Sequence, residues 1–76
     1  MATVPHSPEG SEQSFTIEFE QEQDGRWLAE ILELPGVMAY GETQQDAEVA
    51  VTALALRVIA DRTEQARKPP KSIRFL

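Results

Sequence analysis

The chain lacks cysteine and has a single histidine, His6, among its 76 residues. Without thiols it can form neither a disulfide framework nor a thiolate metal site. A catalytic base needs a positioned partner, and His6 lies among prolines, outside every strand or helix pattern. The sequence offers no Ser-His-Asp triad. We therefore expect a protein that is not an enzyme and that uses no cofactor or metal.

Basic residues and long apolar runs are also scarce. Lys and Arg number 7 against 13 Asp and Glu, which gives a net charge of −6. Binding to the phosphate backbone depends on Lys and Arg, so direct DNA binding is not expected. No apolar run approaches the roughly 18 residues of a membrane span, and no basic segment followed by an apolar run opens the chain. We expect a cytoplasmic protein that does not enter the membrane.

The first 13 residues carry Pro5, Pro8 and Gly10 and few apolar side chains. This composition predicts a disordered N-terminal tail over residues 1–13, followed by a single domain over residues 14–76. A chain of this size buries only about 60% of its unfolded surface, so association with another chain would add stability.

Two strands open the predicted domain. From Ser14 to Gln21, apolar and polar residues alternate, which is typical of a half-buried strand. Asp24-Gly25 predicts a type I′ hairpin turn, after which Arg26–Leu32 forms the return strand. The apolar side chains of the return strand fall on both of its faces, so the second face is open to coverage by a partner or by the tail.

The fourteen residues Leu34–Ala47 contain a turn, a strand and a helix start. Pro35-Gly36 suits the centre of a type II turn, and a short strand follows from Val37 to Tyr40. Thr43 has the hydroxyl of a helix N-cap.

The predicted helix runs from about Gln44 to about Gln65 and carries two apolar stripes. The first faces the sheet and comprises Ala47, Ala50, Val51, Leu54 and Val58. The second lies on nearly the opposite side and comprises Val49, Ala53, Leu56 and Ala60. A helix on one sheet needs only one stripe, so the second predicts an interface in a homo-oligomer, either a dimer or a tetramer. The alternative is that small apolar residues on this side are simply exposed, which is common.

Pro69-Pro70 ends the helical pattern, and Lys71–Leu76 reads as a last strand. The expected fold is therefore α+β: a small antiparallel sheet with one long helix, in the order β-β-β-α-β. The last strand returns after the helix to pair at a sheet edge.

Acidic side chains recur along the first hairpin. Glu18, Glu20 and Glu22 are expected on one strand face, where they could hold a divalent ion, guard a sheet edge as solvated charges, or meet a basic partner. Edge protection is the simplest of these readings. The candidate partner-binding residues are these three, Glu30 on the second strand and Glu33 just after it: Glu18, Glu20, Glu22, Glu30 and Glu33.

The chain from about Phe15 to Leu76 resembles the HicB-type antitoxins. The resemblance rests on three elements in order: Asp24-Gly25-Arg26-Trp27, Leu34-Pro35-Gly36, and Gly41-Glu42-Thr43 followed by Asp46-Ala47. It implies a partial ribonuclease-H-like fold without nuclease activity, and a role in neutralising a small basic, RNA-cleaving toxin of the HicA type. Many relatives carry a C-terminal DNA-binding module, and nothing like it is expected here.

Two functions follow as hypotheses. The first is a non-catalytic, toxin-neutralising binding module whose acidic surface attracts a basic partner. The second is a stand-alone homo-oligomeric domain that binds a ligand or another protein through the sheet face around Leu28, Met38 and Tyr40.

Overall fold

The computed structural model describes residues 12–76, which form one helix and five strands. The strands are β1 (Glu12–Phe15), β2 (Ile17–Gln21), β3 (Trp27–Ile31), β4 (Met38–Gly41) and β5 (Ser72–Phe75), and helix α1 spans Gln44–Ala66. The fold is α+β, with α1 between β4 and β5 in the chain. Most of the predicted tail lies outside the described residues, and β1 begins at Glu12, two residues before the predicted domain boundary.

Strands β2, β3 and β4 form an antiparallel sheet in that spatial order, while β5 pairs in parallel with β1. The hydrogen bonds around Thr16 place β3 and β5 on opposite sides of the β1–β2 segment. The Thr16 carbonyl accepts from Leu32 N at 3.1 Å, whereas Ile17 N donates to Leu76 O at 3.0 Å. Successive residues of an extended chain direct their main-chain groups to opposite sides. The last strand therefore returns to the side of the sheet away from β4.

The prediction of a single strand from Ser14 to Gln21 is wrong, because the chain breaks at Thr16. The Glu33 carboxylate accepts from Thr16 N at 2.7 Å and from Thr16 Oγ1 at 2.8 Å. A side chain thus takes the place of a main-chain partner at this one residue. The alternation of apolar and polar side chains continues through the break, which is why the sequence pattern did not show it.

The first hairpin turn also differs from its prediction. Gly25 N donates to Glu22 O at 2.9 Å, and Gly25 has φ of +94°. A type I′ turn needs positive φ at both central residues, and Asp24 does not have it. The observed connection is a three-residue loop closed by a glycine bulge. The type II turn at Pro35-Gly36 is confirmed, since Gly36 has φ of +88° and Val37 N donates to Leu34 O at 2.9 Å.

Helix α1 begins where the sequence predicted. The Thr43 hydroxyl accepts from Asp46 N at 3.0 Å, which satisfies one of the free amides of the first turn. Just before it, Gly41 passes so close to the helix that a Cβ would collide with Ala47 N. At the other end Arg67 adopts a left-handed conformation, and its N–H donates to Thr63 O at 2.8 Å.

The core lies between α1 and the inner sides of β3 and β4. The buried helix positions are Ala47, Val51, Ala55 and Ile59. The predicted stripe included the first two but missed Ala55 and Ile59; its other members, Ala50, Leu54 and Val58, are half-buried. The buried row follows i, i+4 spacing, so it shifts around the helix as α1 follows the twisted sheet.

Candidate functional site

The sheet has an outer face that no element of the described chain covers. It comprises the side chains of β2, β3 and β4 that point away from α1: Glu18, Glu20, Leu28, Glu30, Met38 and Tyr40. Successive side chains of a strand point to opposite faces. Ala29 and Ile31, which alternate with these positions along β3, are fully buried on the helix side.

Strand register arranges the outer face in two rows. One row is Glu18, Glu30 and Met38, and the other is Glu20, Leu28 and Tyr40. Across each row the chemistry changes from a carboxylate on β2 to a large apolar or aromatic side chain on β4. Met38 is 42% exposed and Tyr40 is 48% exposed, so the β4 side offers apolar contact area beside the acidic β2 side.

Glu18 and Glu30 stand directly opposite each other on neighbouring strands. Like charges in this position destabilise a sheet by a few tenths of a kcal/mol up to about 1 kcal/mol. From the register we therefore expect the pair to oppose folding, and a cation placed between the two carboxylates to relieve the repulsion.

Arg26 connects the hairpin loop to the outer face. Its guanidinium lies 4.5 Å from the centre of the Tyr40 ring, and its Nε donates to the Asp24 carboxylate at 2.8 Å. Main-chain and side-chain hydrogen bonds from Arg26 lower the pKa of Asp24, and the same side-chain bond raises the pKa of Arg26. The ring of Tyr40 is thereby held in place while half of it stays exposed. No sequence pattern indicated this contact. It follows from the register of β3 and β4, in which Leu28 lies opposite Tyr40 and Arg26 lies diagonally across from it.

The five predicted partner-binding acids do not all gather on this face. Glu18, Glu20 and Glu30 do, whereas Glu22 lies one residue beyond β2 at the start of the hairpin loop. Glu33 is engaged within the chain, because its carboxylate accepts hydrogen bonds from the main chain and the side chain of Thr16. These hydrogen bonds lower the pKa of the Glu33 carboxyl. Its carboxylate thus satisfies the main-chain N–H of Thr16, the residue at which β1 has ended and β2 has not yet begun.

The predicted oligomer interface lies on the side of α1 away from the sheet. Val49 is 62% exposed and Leu56 is 46% exposed, while Ala53 is half-buried and Ala60 is exposed. Between them runs an open, shallow groove also lined by Gln45, Glu48 and Thr52. Nothing within residues 12–76 covers this stripe.

Neither a metal cluster nor a membrane span is found in the described part of the chain. No three His, Cys, Asp or Glu side chains there lie close enough together to hold a metal ion. No helix within residues 12–76 is both long enough and apolar enough to cross a bilayer. His6 lies outside the described residues.

Comparison with known protein families, with curated proteins and with solved structures finds no match to this chain.

Proposed function

We propose that the protein is a non-catalytic protein-binding module that resembles a HicB-type antitoxin and neutralises a small, basic, RNA-cleaving toxin. The observation that supports it best is the outer face, where three carboxylates adjoin exposed Met38 and Tyr40. In this proposal the three-stranded sheet and α1 are a partial ribonuclease-H-like unit that has kept the scaffold without a catalytic centre.

The charges of the outer face favour a basic protein over a nucleic acid. The chain carries −6 overall, and the outer face presents three carboxylates against one cation, Arg26, which lies over Tyr40 and is paired with Asp24. Such a surface repels phosphates and attracts Lys and Arg, and it raises association rates in a way that salt screens. A protein that cleaves RNA must itself present a basic surface, and covering that surface would block its substrate.

Apolar contact would supply most of the affinity. Exposed ion pairs each contribute about 0.2–1 kcal/mol, whereas aromatic side chains at the centre of an interface often contribute 2 kcal/mol or more. Tyr40, already held by Arg26, is the best-placed anchor. We expect Tyr40→Ala to weaken partner binding more than loss of any single outer-face carboxylate.

The test is coexpression with a small basic protein encoded beside this chain. The wild-type chain should form a fixed-ratio complex and restore growth that the basic protein inhibits. The double variant Glu18→Lys/Glu30→Lys should do neither, while Glu48→Lys/Glu64→Lys, with the same charge change on α1, should behave as wild type. Absence of a complex, or equal binding by both double variants, would exclude the proposal.

A second candidate is a stand-alone homo-oligomeric domain that binds a protein or ligand. The exposed helix stripe of Val49, Ala53, Leu56 and Ala60 favours it. Here Leu56→Glu should reduce the mass in solution to that of one chain while helical content by circular dichroism stays unchanged. An unchanged mass would exclude this stripe as the interface.

A further inference from the structure

Strand β4 is a sheet edge whose outward main-chain groups face no strand in the described chain. Ile31 N donates to Val37 O at 3.0 Å, and Ala29 faces Ala39 in the register. Main-chain groups alternate in direction along an antiparallel strand. The N–H and C=O groups of Met38 and Tyr40 therefore point away from β3 and are available to another strand.

The composition of β4 sets it apart from the other strands. Its four residues, Met38-Ala39-Tyr40-Gly41, carry no charge, whereas β1, β2, β3 and β5 each contain at least one charged residue. Proteins commonly guard sheet edges with charges or proline, and β4 has neither. In a chain of net charge −6, an uncharged edge is where a second copy meets least electrostatic repulsion.

We propose that two copies of this chain pair through β4, in antiparallel register, to form a continuous six-stranded sheet. Pairing through the free groups sets Met38 opposite Tyr40 of the second copy, and Tyr40 opposite its Met38. Ala39 then lies opposite Ala39 at the two-fold axis. The contact is self-complementary, as a two-fold interface requires, and it joins a thioether to an aromatic ring, which is favourable.

A strand pair this short needs a second layer, because a stable interface buries about 800 Å² on each partner. Helix α1 supplies that layer. It packs over β3 and β4, and strands lie about 4.8 Å apart, so the two helices would run roughly 10 Å apart. That separation is typical of packed helices.

The connection between β4 and β5 determines which side of α1 would contact the second copy. These strands are parallel, because β4 is antiparallel to β3, β3 to β2, and β5 is parallel to β1. Such crossovers are right-handed, which turns the flank with Asp46, Ala50 and Leu54 toward the β4 edge. The opposite flank, with Ile59 and Thr63, lies beside Gln13 of β1. Leu56 lies on the side of the helix away from the sheet, with the groove. A second copy at the β4 edge would thus also contact the flank with Asp46, Ala50 and Leu54, and it would leave the groove on α1 open.

This inference does not rest on the toxin-binding proposal, because it is argued from the main-chain groups and composition of β4. The two contacts share Met38 and Tyr40, while pairing through β4 leaves the acidic side chains of β2 and β3 open. The two interactions also respond oppositely to salt. Binding of a basic partner weakens as salt screens attraction, whereas association of two acidic copies strengthens as salt screens repulsion.

The experiment measures the mass of the full chain in solution and then its cross-linking. We expect a dimer, twice the chain's 8.5 kDa, that becomes tighter from 50 mM to 500 mM NaCl. Met38→Pro removes an outward N–H without touching the pairing to β3, so it should weaken the dimer at least tenfold. A monomer at all concentrations, or a dimer that Met38→Pro leaves unchanged, would overturn the proposal.

Register is tested by Ala39→Cys in a chain that has no other cysteine. Opposed residues that share no hydrogen bonds have Cα atoms about 4.5 Å apart, within the range of a disulfide. Mild oxidation should cross-link Ala39→Cys at least tenfold faster than Ala60→Cys, whose thiol would be exposed on α1. Equal rates for the two variants would contradict pairing through β4.

Discussion

Replacing Glu18 by lysine should make the protein more stable and, at the same time, a poorer binder. Glu18 stands directly opposite Glu30, so the substitution turns a repulsive cross-strand pair into an attractive one. Opposite-charge pairs in this position stabilise by about 0.2–1 kcal/mol, and like charges destabilise by a similar amount. We therefore expect a gain of about 1 kcal/mol in the free energy of unfolding.

The gain is measurable by thermal or urea unfolding. For a domain of this size, 1 kcal/mol corresponds to roughly 4–8 °C in Tm. The effect is electrostatic and partly exposed, so it should shrink in 1 M salt, where the Debye length falls from about 10 Å to about 3 Å.

Glu20→Lys is the matched control for this prediction. It makes the same charge change on the same strand and face, but Glu20 lies opposite Leu28 and not opposite an acid. Its Tm should rise by less than half as much. If Glu18→Lys stabilised no more than Glu20→Lys, or destabilised the protein, the interpretation of the Glu18–Glu30 pair as a cost to folding would be refuted.

Three further predictions concern the scaffold. Gly41→Ala places a Cβ against Ala47 N and should lower the free energy of unfolding by about 1–3 kcal/mol, as measured by urea titration; an unchanged midpoint would contradict the close approach. Thr43→Ala removes the helix cap and should cost about 1 kcal/mol in the same assay, whereas Thr43→Ser should cost little. The lowered pKa of Glu33 means that its carboxylate stabilises the fold at pH values above the pKa of glutamate in the unfolded chain, near 4.5, and that this contribution is lost as pH falls through the lower pKa of the folded state. Glu33→Gln should therefore flatten the decline in Tm on acidification. An unaltered pH profile would argue against the contact with Thr16.

Local signals in the sequence predicted local structure well. Pro35-Gly36 specifies its turn through fixed and positive φ values, and Thr43 specifies the helix start through one hydroxyl. Neither depends on residues far away in the chain. Features with distant causes were missed: the strand break at Thr16 depends on Glu33 and on β5, which lie 17 or more residues away. The hairpin loop is an intermediate case, in which Gly25 was identified but the loop length was not.

The candidate site divides in the same way. Alternation along β2 placed Glu18 and Glu20 on one face, and the register of β3 then brought Glu30 beside them. Glu33 was grouped with them because it is acidic and near in sequence, but the turn after β3 directs it to Thr16. For α1, the sequence predicted that one side of the helix packs on the sheet, but it did not predict all of the buried positions. The twist of the sheet determines which residues of the helix contact it.

The most direct test of the outer face as a protein-binding surface is a tagged pull-down from the native host with three chains. These are wild type, Glu18→Lys/Glu30→Lys, and the helix control Glu48→Lys/Glu64→Lys, with the intact mass of every eluted protein recorded. We predict one small basic protein in fixed ratio with the wild type and the control, and none with the outer-face variant. Elution of all three chains without such a protein, or its equal capture by all three, would contradict the proposed function.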